Sequence, residues 1–283
     1  LENLRFHAGE EADDGDFASA LAELADVYIN DAFGAAHRAH ASTHALAALF
    51  EERGAGLLIL EEVHQLGRLL GSPDQPFVAV VGGAKVSDKL ELLESLAQRA
   101  NTLLVGGAMA YTFLAAQGHE VGSSRVETDK VDTARALLKS AAADGTIIAL
   151  PSDHIAAQSF ASESEAIEVS GQSIPDDLMG LDIGPATQAR YADILRRAGT
   201  ILWNGPMGVF EWENFRAGTM VVAAAVADSA AASVVGGGDS LAALALSGRK
   251  DDVSHVSTGG GASLEFLAGH ELPGLSAIGY QAR

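Results

Sequence analysis

Short runs of Val, Ile and Leu that end in glycine recur along this chain, and a stretch with helical periodicity follows most of them. The runs are FVAVVGG (77–83), TLLVGG (102–107), TILWNG (200–205), ASVVGGG (232–238) and VSTGGG (256–261). A further run, TIIALP (146–151), ends in Leu-Pro. Apolar runs without polar alternation belong to strands buried on both faces, the condition of a parallel sheet. The segments 86–98, 128–143, 185–198 and 214–231 fit the helices of right-handed βαβ crossovers. The pattern predicts an α/β fold with its glycine turns at the carboxyl ends of the strands, where open α/β sheets bind ligands.

Residues 1–50 look different. DVYIND (26–31) reads as a strand and is followed by the polar, His-rich AFGAAHRAHASTH. One strand and its neighbours do not make a domain. AGLLILEEVHQLGRLLG (55–71) then predicts a long helix closed off by Pro73 and Pro76. It reads as the connector between an incomplete first domain and a complete second one.

A chain of 283 residues, 48% of them hydrophobic, has material for one large domain or two ordinary ones. No apolar run reaches the length of a membrane span, and the opening LENLRFHAGEE lacks the basic-then-apolar order of a signal peptide. The absence of cysteine excludes disulfides and thiolate metal sites and suits a reducing cytosol. A formal charge of -20 argues against a broad nucleic-acid or acidic-membrane surface. An anionic ligand must therefore be held by local bases and backbone N–H groups. With only five lysines and the acid spread along the chain, ordinary solubility and salt adaptation both remain open.

Two of those lysines, Lys85 and Lys89, stand four apart in VVGGAKVSDKLELL (80–93). On a helix they share a face near its start, where the dipole disfavours cations unless an anion lies between them. The plainer reading is a solvated first turn with Asp88 as salt-bridge partner. The stretch is not a G-x-x-x-x-G-K-[ST] loop, and no complete G-x-G-x-x-G occurs, so dinucleotide binding lacks its fingerprint. GGGDSLAAL (236–244) sets Asp239 and Ser240 at a strand-to-helix turn. This suits phosphate oxygens on the N–H groups with Mg²⁺ on the acid, or else a simple helix cap. STGGGASLEFL (257–267) repeats the arrangement without the acid. In WNGPMGVFEWE (203–213), Glu211 lies in an apolar stretch, where a carboxylate needs a partner such as ribose hydroxyls; Trp203, Phe210 and Trp212 could instead only pack a core. His37, His40 and His44 make a metal site conceivable, but no carboxylate sits nearby in sequence. Arg5 and Arg38 read as anion contacts or as surface arginines.

In order along the chain, LENLRFH, YINDAFGAAHRAHAS, VVGGAKVSDK, LLVGGAMAYTFL, LDIGP, ILWNGPMGVFE, VVGGGDS and STGGGASLEFLAG resemble the signature segments of the phosphoglycerate kinase family. The resemblance covers almost the whole chain. It implies two Rossmann-like three-layer lobes with parallel sheets, joined by a long helix, that close to move a phosphoryl group from MgATP to the carboxylate of 3-phosphoglycerate. It also implies boundaries: residues 1–54 as a remnant of the acid-substrate lobe, 55–72 as the interdomain helix, 73–256 as the nucleotide lobe, and 257–283 packing back toward the hinge.

By position, the resemblance places Gly83, Ala84, Lys85, Lys89, Gly107, Ala108, Asn204, Gly205, Glu211, Gly237, Gly238, Asp239 and Ser240 at the nucleotide. Asp239 would hold Mg²⁺, and Lys85, Lys89, Gly238 and Gly261 would serve the transfer. Arg5, His37 and Arg38 would contact 3-phosphoglycerate or 1,3-bisphosphoglycerate. A cytoplasmic monomer that binds ATP or ADP is implied, with no nucleic-acid or membrane partner. Ala108 stands where the family often has a third glycine, and Ala186 where a charge is common. The chain opens inside a family motif, so a truncated sequence, inactive alone, is expected. The competing expectations are a non-catalytic nucleotide-binding module and, behind it, an NAD-dependent dehydrogenase.

Overall fold

The computed structural model describes residues 1–281, which form two compact units. One comprises residues 1–71 with the segment from Ser257 onward, and the other Ser72–Val256.

In the first unit, β1 (Tyr28–Asn30) pairs in parallel with β2 (Arg53–Ala55). Two short strands are marginal alone, and the unit is completed by helices. Tyr28, Ala47 and Phe50 form one small buried cluster. The helix Leu57–Leu70 packs against the helix Gly261–Ala268. Its buried Glu62 accepts hydrogen bonds from the N–H and hydroxyl of Thr258, at 2.7 and 2.9 Å. A buried carboxylate needs such donors, and here it fixes the turn that starts the STGGG segment.

The second unit is built on eight strands in chain order: β3 (Phe77–Val81), β4 (Thr102–Val105), β5 (Ile147–Ala149), β6 (Asp153–Ala157), β7 (Ile167–Ser170), β8 (Met179–Ile183), β9 (Thr200–Asn204) and β10 (Ala232–Val235). A ninth, β11 (His255–Val256), adds an edge. Six of these form an all-parallel sheet in the order β11-β10-β9-β3-β4-β5. All five residues of β3 and of β9 are buried, as runs without alternation require. Each fully buried Val, Leu or Phe here contributes about 1.5–3 kcal/mol.

The helices Leu90–Ala97, Val131–Ala143, Pro185–Arg196 and Ala217–Asp228 fill the expected crossovers, each shorter than its sequence pattern and the first and last most so. Tyr191 is fully buried, its hydroxyl 2.8 and 2.7 Å from the carbonyl oxygens of Val105 and Ala149.

A second sheet was not foreseen. β7, β6 and β8 make a three-stranded antiparallel layer between β5 and the helix Pro185–Arg196. Its strands mix charged and apolar residues, and the buried Asp153 and Asp182 are satisfied by tertiary partners. Asp153 accepts from the N–H groups of Ala186 and Thr187 at 2.7 and 2.8 Å, at the start of that helix. Among the described residues, no helix is long and apolar enough to cross a membrane.

Candidate active site

Register decides where the glycine turns fall. Val81 lies opposite Val105 on one side and Asn204 on the other, and Trp203 lies opposite Val235. The ends of β3, β4, β9 and β10 are therefore level, and their turns lace together. Gly82 N–H donates to Asn204 O at 3.0 Å, Gly107 N–H to Met207 O at 2.8 Å, and Gly236 N–H to Trp203 O at 2.9 Å. The turn at Gly205 tolerates no side chain. Its φ is 108°, and a Cβ there would stand 2.2 Å from Gly82 O and 2.6 Å from Lys89 Nζ.

Lys89 is the central cation of this surface. Its ammonium donates to Gly82 O at 2.7 Å and to Asn204 O at 2.9 Å. Burial pushes its pKa down to about 8, with Asp239 and Asp88 opposing the shift. Lys85 is exposed and lies in the loop before the helix, not on it. The expectation of a shared helical face is thus corrected: a short turn over Ser87–Lys89 intervenes and the α-helix begins at Leu90. The two lysines differ in environment because one points down between strand ends and the other out to solvent.

A cleft of about 460 Å³ opens beside these turns. Gly83, Ala84, Gly107, Ala108 and Asp239 line it from the strand ends, and Glu211 from the loop after β9. Its other walls come from Met179, Gly180 and Leu181 of β8, with Val209, Phe160, Ser123 and Arg125. Met179, Gly180, Leu181 and Phe160 come from the unforeseen sheet and its connections, Ser123 and Arg125 from the segment after the helix Met109–Ala116, and Val209 from the loop after β9, and none was singled out from the sequence. Glu211 is exposed at the cleft. Trp203 and Phe210 are buried in the core instead.

The helix Gly238–Leu246 starts at the end of β10 with Gly237 as its cap, and neither Asp239 nor Ser240 caps it. First-turn N–H groups have no acceptor within a helix, and these stand beside the exposed Asp239. The Ser240 hydroxyl is fully buried and accepts from Gly205 N–H. It ties two turns together. Asn204 is buried and donates its amide to Gly236 O at 2.9 Å.

Glu127 also escaped the sequence reading. Its carboxylate accepts from Val86 N–H at 2.5 Å, from Ser87 N–H at 3.2 Å and from the Ser87 hydroxyl at 2.6 Å.

In the first unit, Arg5 is exposed and 3.9 Å from Glu11. Arg38 donates to His37 Nε2 at 3.3 Å, and that imidazole nitrogen would lie 3.3 Å from a Cβ at Gly261. Burial lowers the His37 pKa, so the ring is neutral at pH 7. The three histidines separate. His44 pairs with Asp13 at 2.7 Å, and buried His40 lies 4.0 Å from Glu10. Carboxylates do reach this segment in the fold, from about thirty residues upstream, a distance that sequence spacing does not reveal. Among the described residues, no group of three His, Asp or Glu side chains is placed to hold a metal.

Fold and site define a parallel-sheet α/β enzyme with a ligand cleft at the carboxyl ends of its strands. The family profile described as phosphoglycerate kinase matches residues 1–270. The phosphoglycerate kinase of Anaeromyxobacter dehalogenans strain 2CP-1 is 55% identical over 277 residues, spanning 98% of this chain and 70% of that protein. The phosphoglycerate kinase of Chlorobium chlorochromatii is 50% identical over 281 residues, spanning 98% of this chain and 71% of the other. The solved structure of phosphoglycerate kinase from Coxiella burnetii superposes with a TM-score of 0.94 at 44% identity, covering 99% of this chain and 72% of that one. This chain belongs to the phosphoglycerate kinase family, and so to the enzymes that transfer a phosphoryl group.

Proposed function

We propose that this protein catalyses reversible phosphoryl transfer between MgATP and the carboxylate of 3-phosphoglycerate, giving 1,3-bisphosphoglycerate and ADP, and that its second unit holds the nucleotide. The observation that carries the nucleotide assignment is the cleft itself. It joins an apolar slot (Met179, Leu181, Val209) to an end lined by Asp239 at the start of the helix Gly238–Leu246, with the Lys89 ammonium held on the adjoining strand ends at Gly82 O and Asn204 O. A base fits the first and phosphates the second.

In this reading Gly83, Ala84, Gly107 and Ala108 let the nucleotide approach the backbone, and Glu211 meets the ribose. Lys85 and Lys89 hold the phosphates, with the N–H groups of 237–240 beside them. Phosphoryl transfer runs mainly on positioning and on charge stabilisation, and ammonium groups and helix N-termini supply both. Arg5, His37, Arg38 and the Gly261 turn are assigned to the phosphorylated acid. A neutral His37 can accept or donate one hydrogen bond without adding charge. The protein is read as a monomer working in the cytoplasm.

The residues fit a magnesium ion that travels with the nucleotide. Asp239 is an exposed carboxylate on the cleft, and Mg²⁺ commonly uses one or two carboxylates, substrate phosphates and water. When bound, the ion neutralises charge on the phosphate oxygens. Calorimetry with MgADP, together with a coupled assay on 3-phosphoglycerate, tests the proposal. A folded sample without nucleotide affinity would overturn the assignment. Affinity without turnover would leave the nucleotide assignment standing and the acid-substrate assignment unsupported.

A further inference from the structure

The loop from Gly82 to Lys89 carries both lysines, yet the strand end that precedes it fixes only its beginning. Gly82 N–H is bound to Asn204 O, and Gly83 O accepts from Met109 N–H at 3.0 Å. Beyond Gly83, the loop's backbone is held by Glu127. Both oxygens of this carboxylate are engaged, on Val86 N–H, Ser87 N–H and the Ser87 hydroxyl. These bonds hold the Glu127 carboxyl below the usual carboxylate range against partial burial, and Lys85 adds to the effect.

Glu127 is itself anchored. Its N–H donates to the hydroxyl of the buried Thr112 at 3.1 Å, and its carbonyl oxygen accepts from Lys130 N–H at 2.9 Å. Thr112 belongs to the helix Met109–Ala116, which begins just after the cleft residues Gly107 and Ala108. The chain of contacts therefore runs from the cleft floor through Thr112 and Glu127 to the segment between the two lysines.

This arrangement has a chemical consequence. A glycine-rich turn ordinarily gives successive N–H groups to phosphate oxygens. Here two such groups, on Val86 and Ser87, are already taken by a carboxylate of the protein. With those two groups taken, the lysine side chains are the charged donors this loop brings to an anion, and Glu127 sets where the backbone carries them.

Resting on the reading that Lys85 and Lys89 meet the nucleotide phosphates, we propose that Glu127 is a positioning residue that holds residues 84–89 so that both ammonium groups are presented to those phosphates. A merely structural carboxylate would affect every ligand of the cleft alike. A positioning role separates ligands by their phosphates, because the apolar slot that takes the base lies on other elements.

The test compares MgATP, MgADP and adenosine by calorimetry on the parent, Glu127→Ala, Glu127→Gln and Ser87→Ala. Glu127→Ala should weaken MgATP and MgADP about tenfold or more and leave adenosine within about twofold. Glu127→Gln keeps one acceptor oxygen and should fall between parent and Ala. Ser87→Ala removes one of three bonds and should give a smaller loss of the same kind, which keeps the test decisive if Glu127→Ala fails to fold. Unchanged MgATP affinity in Glu127→Ala, or in Ser87→Ala and Glu127→Gln alike where Ala does not fold, would overturn the proposal. So would an equal loss for adenosine. If the parent binds adenosine but gains nothing from the phosphates, the phosphate-site reading beneath the proposal fails, a result distinct from the other two.

Discussion

Lys89 and Asn204 meet across 115 positions of sequence, the ammonium donating to the carbonyl oxygen at 2.9 Å. With Gly82 O as its second acceptor, this cation spans the ends of two adjacent strands. The contact holds the turns together in the absence of ligand, and a phosphate must compete with two carbonyls for the same group.

The pH dependence follows. In the free protein Lys89 titrates near 8, held there by burial against the pull of Asp239 and Asp88. Phosphate oxygens favour the charged form, so binding MgADP should take up protons around pH 8 to 9, and affinity should fall as pH climbs past 8. Lys89→Ala should bind more weakly and lose that dependence. Calorimetry in buffers of different ionisation enthalpy measures the proton uptake directly, and none in the parent would contradict the assignment. The stability effect has its own sign. The folded state binds fewer protons than the unfolded state between about 8 and 10.5, so the burden of the buried charge is relieved as pH rises through that window.

Asp239→Asn should remove most of the metal dependence of nucleotide binding. The parent should bind ADP more tightly with Mg²⁺ than with a chelator present, and the variant should show nearly equal affinities. An unchanged ratio would remove Asp239 from the metal site.

Asp182 is a buried carboxylate with two N–H donors, Gly218 at 2.7 Å and Ile183 at 2.9 Å, and burial pushes its pKa up to about 7. The folded state therefore binds more protons than the unfolded state between about 3.8 and 7. Its contribution to stability falls as pH rises through that range. Asp182→Asn cannot ionise, so its melting temperature relative to the parent should be more favourable at pH 8 than at pH 5. A difference independent of pH would show that Asp182 ionises normally.

Gly205→Ala should destabilise the second unit by about 3 kcal/mol or more, through left-handed strain and collision with Gly82 O. Denaturant unfolding measures it. A loss below about 1 kcal/mol would mean the turn relaxes easily.

Much of the second unit was legible because burial on both faces writes itself into sequence as unbroken apolar runs, as in Phe77–Val81 and Thr200–Asn204. The glycine turns were legible for a related reason: level strand ends leave no room for side chains where turns cross. β6 to β8 were not legible, since Asp153 and Asp182 are buried through partners that local pattern does not reveal. Glu127 was hidden by distance, lying 41 positions from Val86. The i, i+4 spacing of the lysines misled because helical period says nothing about where the first turn begins.

With 38 acidic and 18 basic residues, close carboxylates should repel one another at low ionic strength. The melting temperature should therefore rise between low and molar KCl. A flat or falling trend would reject salt adaptation.

β8 reaches the cleft from outside the parallel sheet. Met179, Gly180 and Leu181 form a wall of the slot, and they arrive on a layer spliced into the connection between β5 and β9. The machinery at the strand ends is locked to the main hydrophobic core, where almost any change is costly. The wall packs into a small cluster of its own, Leu181 against Ala157 and Phe215 with Met179 at its margin. Drift at the partly exposed Met179 or the exposed Phe160 can reshape which base is accepted while the turns around Lys89 stay as they are, so ligand preference and chemical competence can diverge separately within one descent.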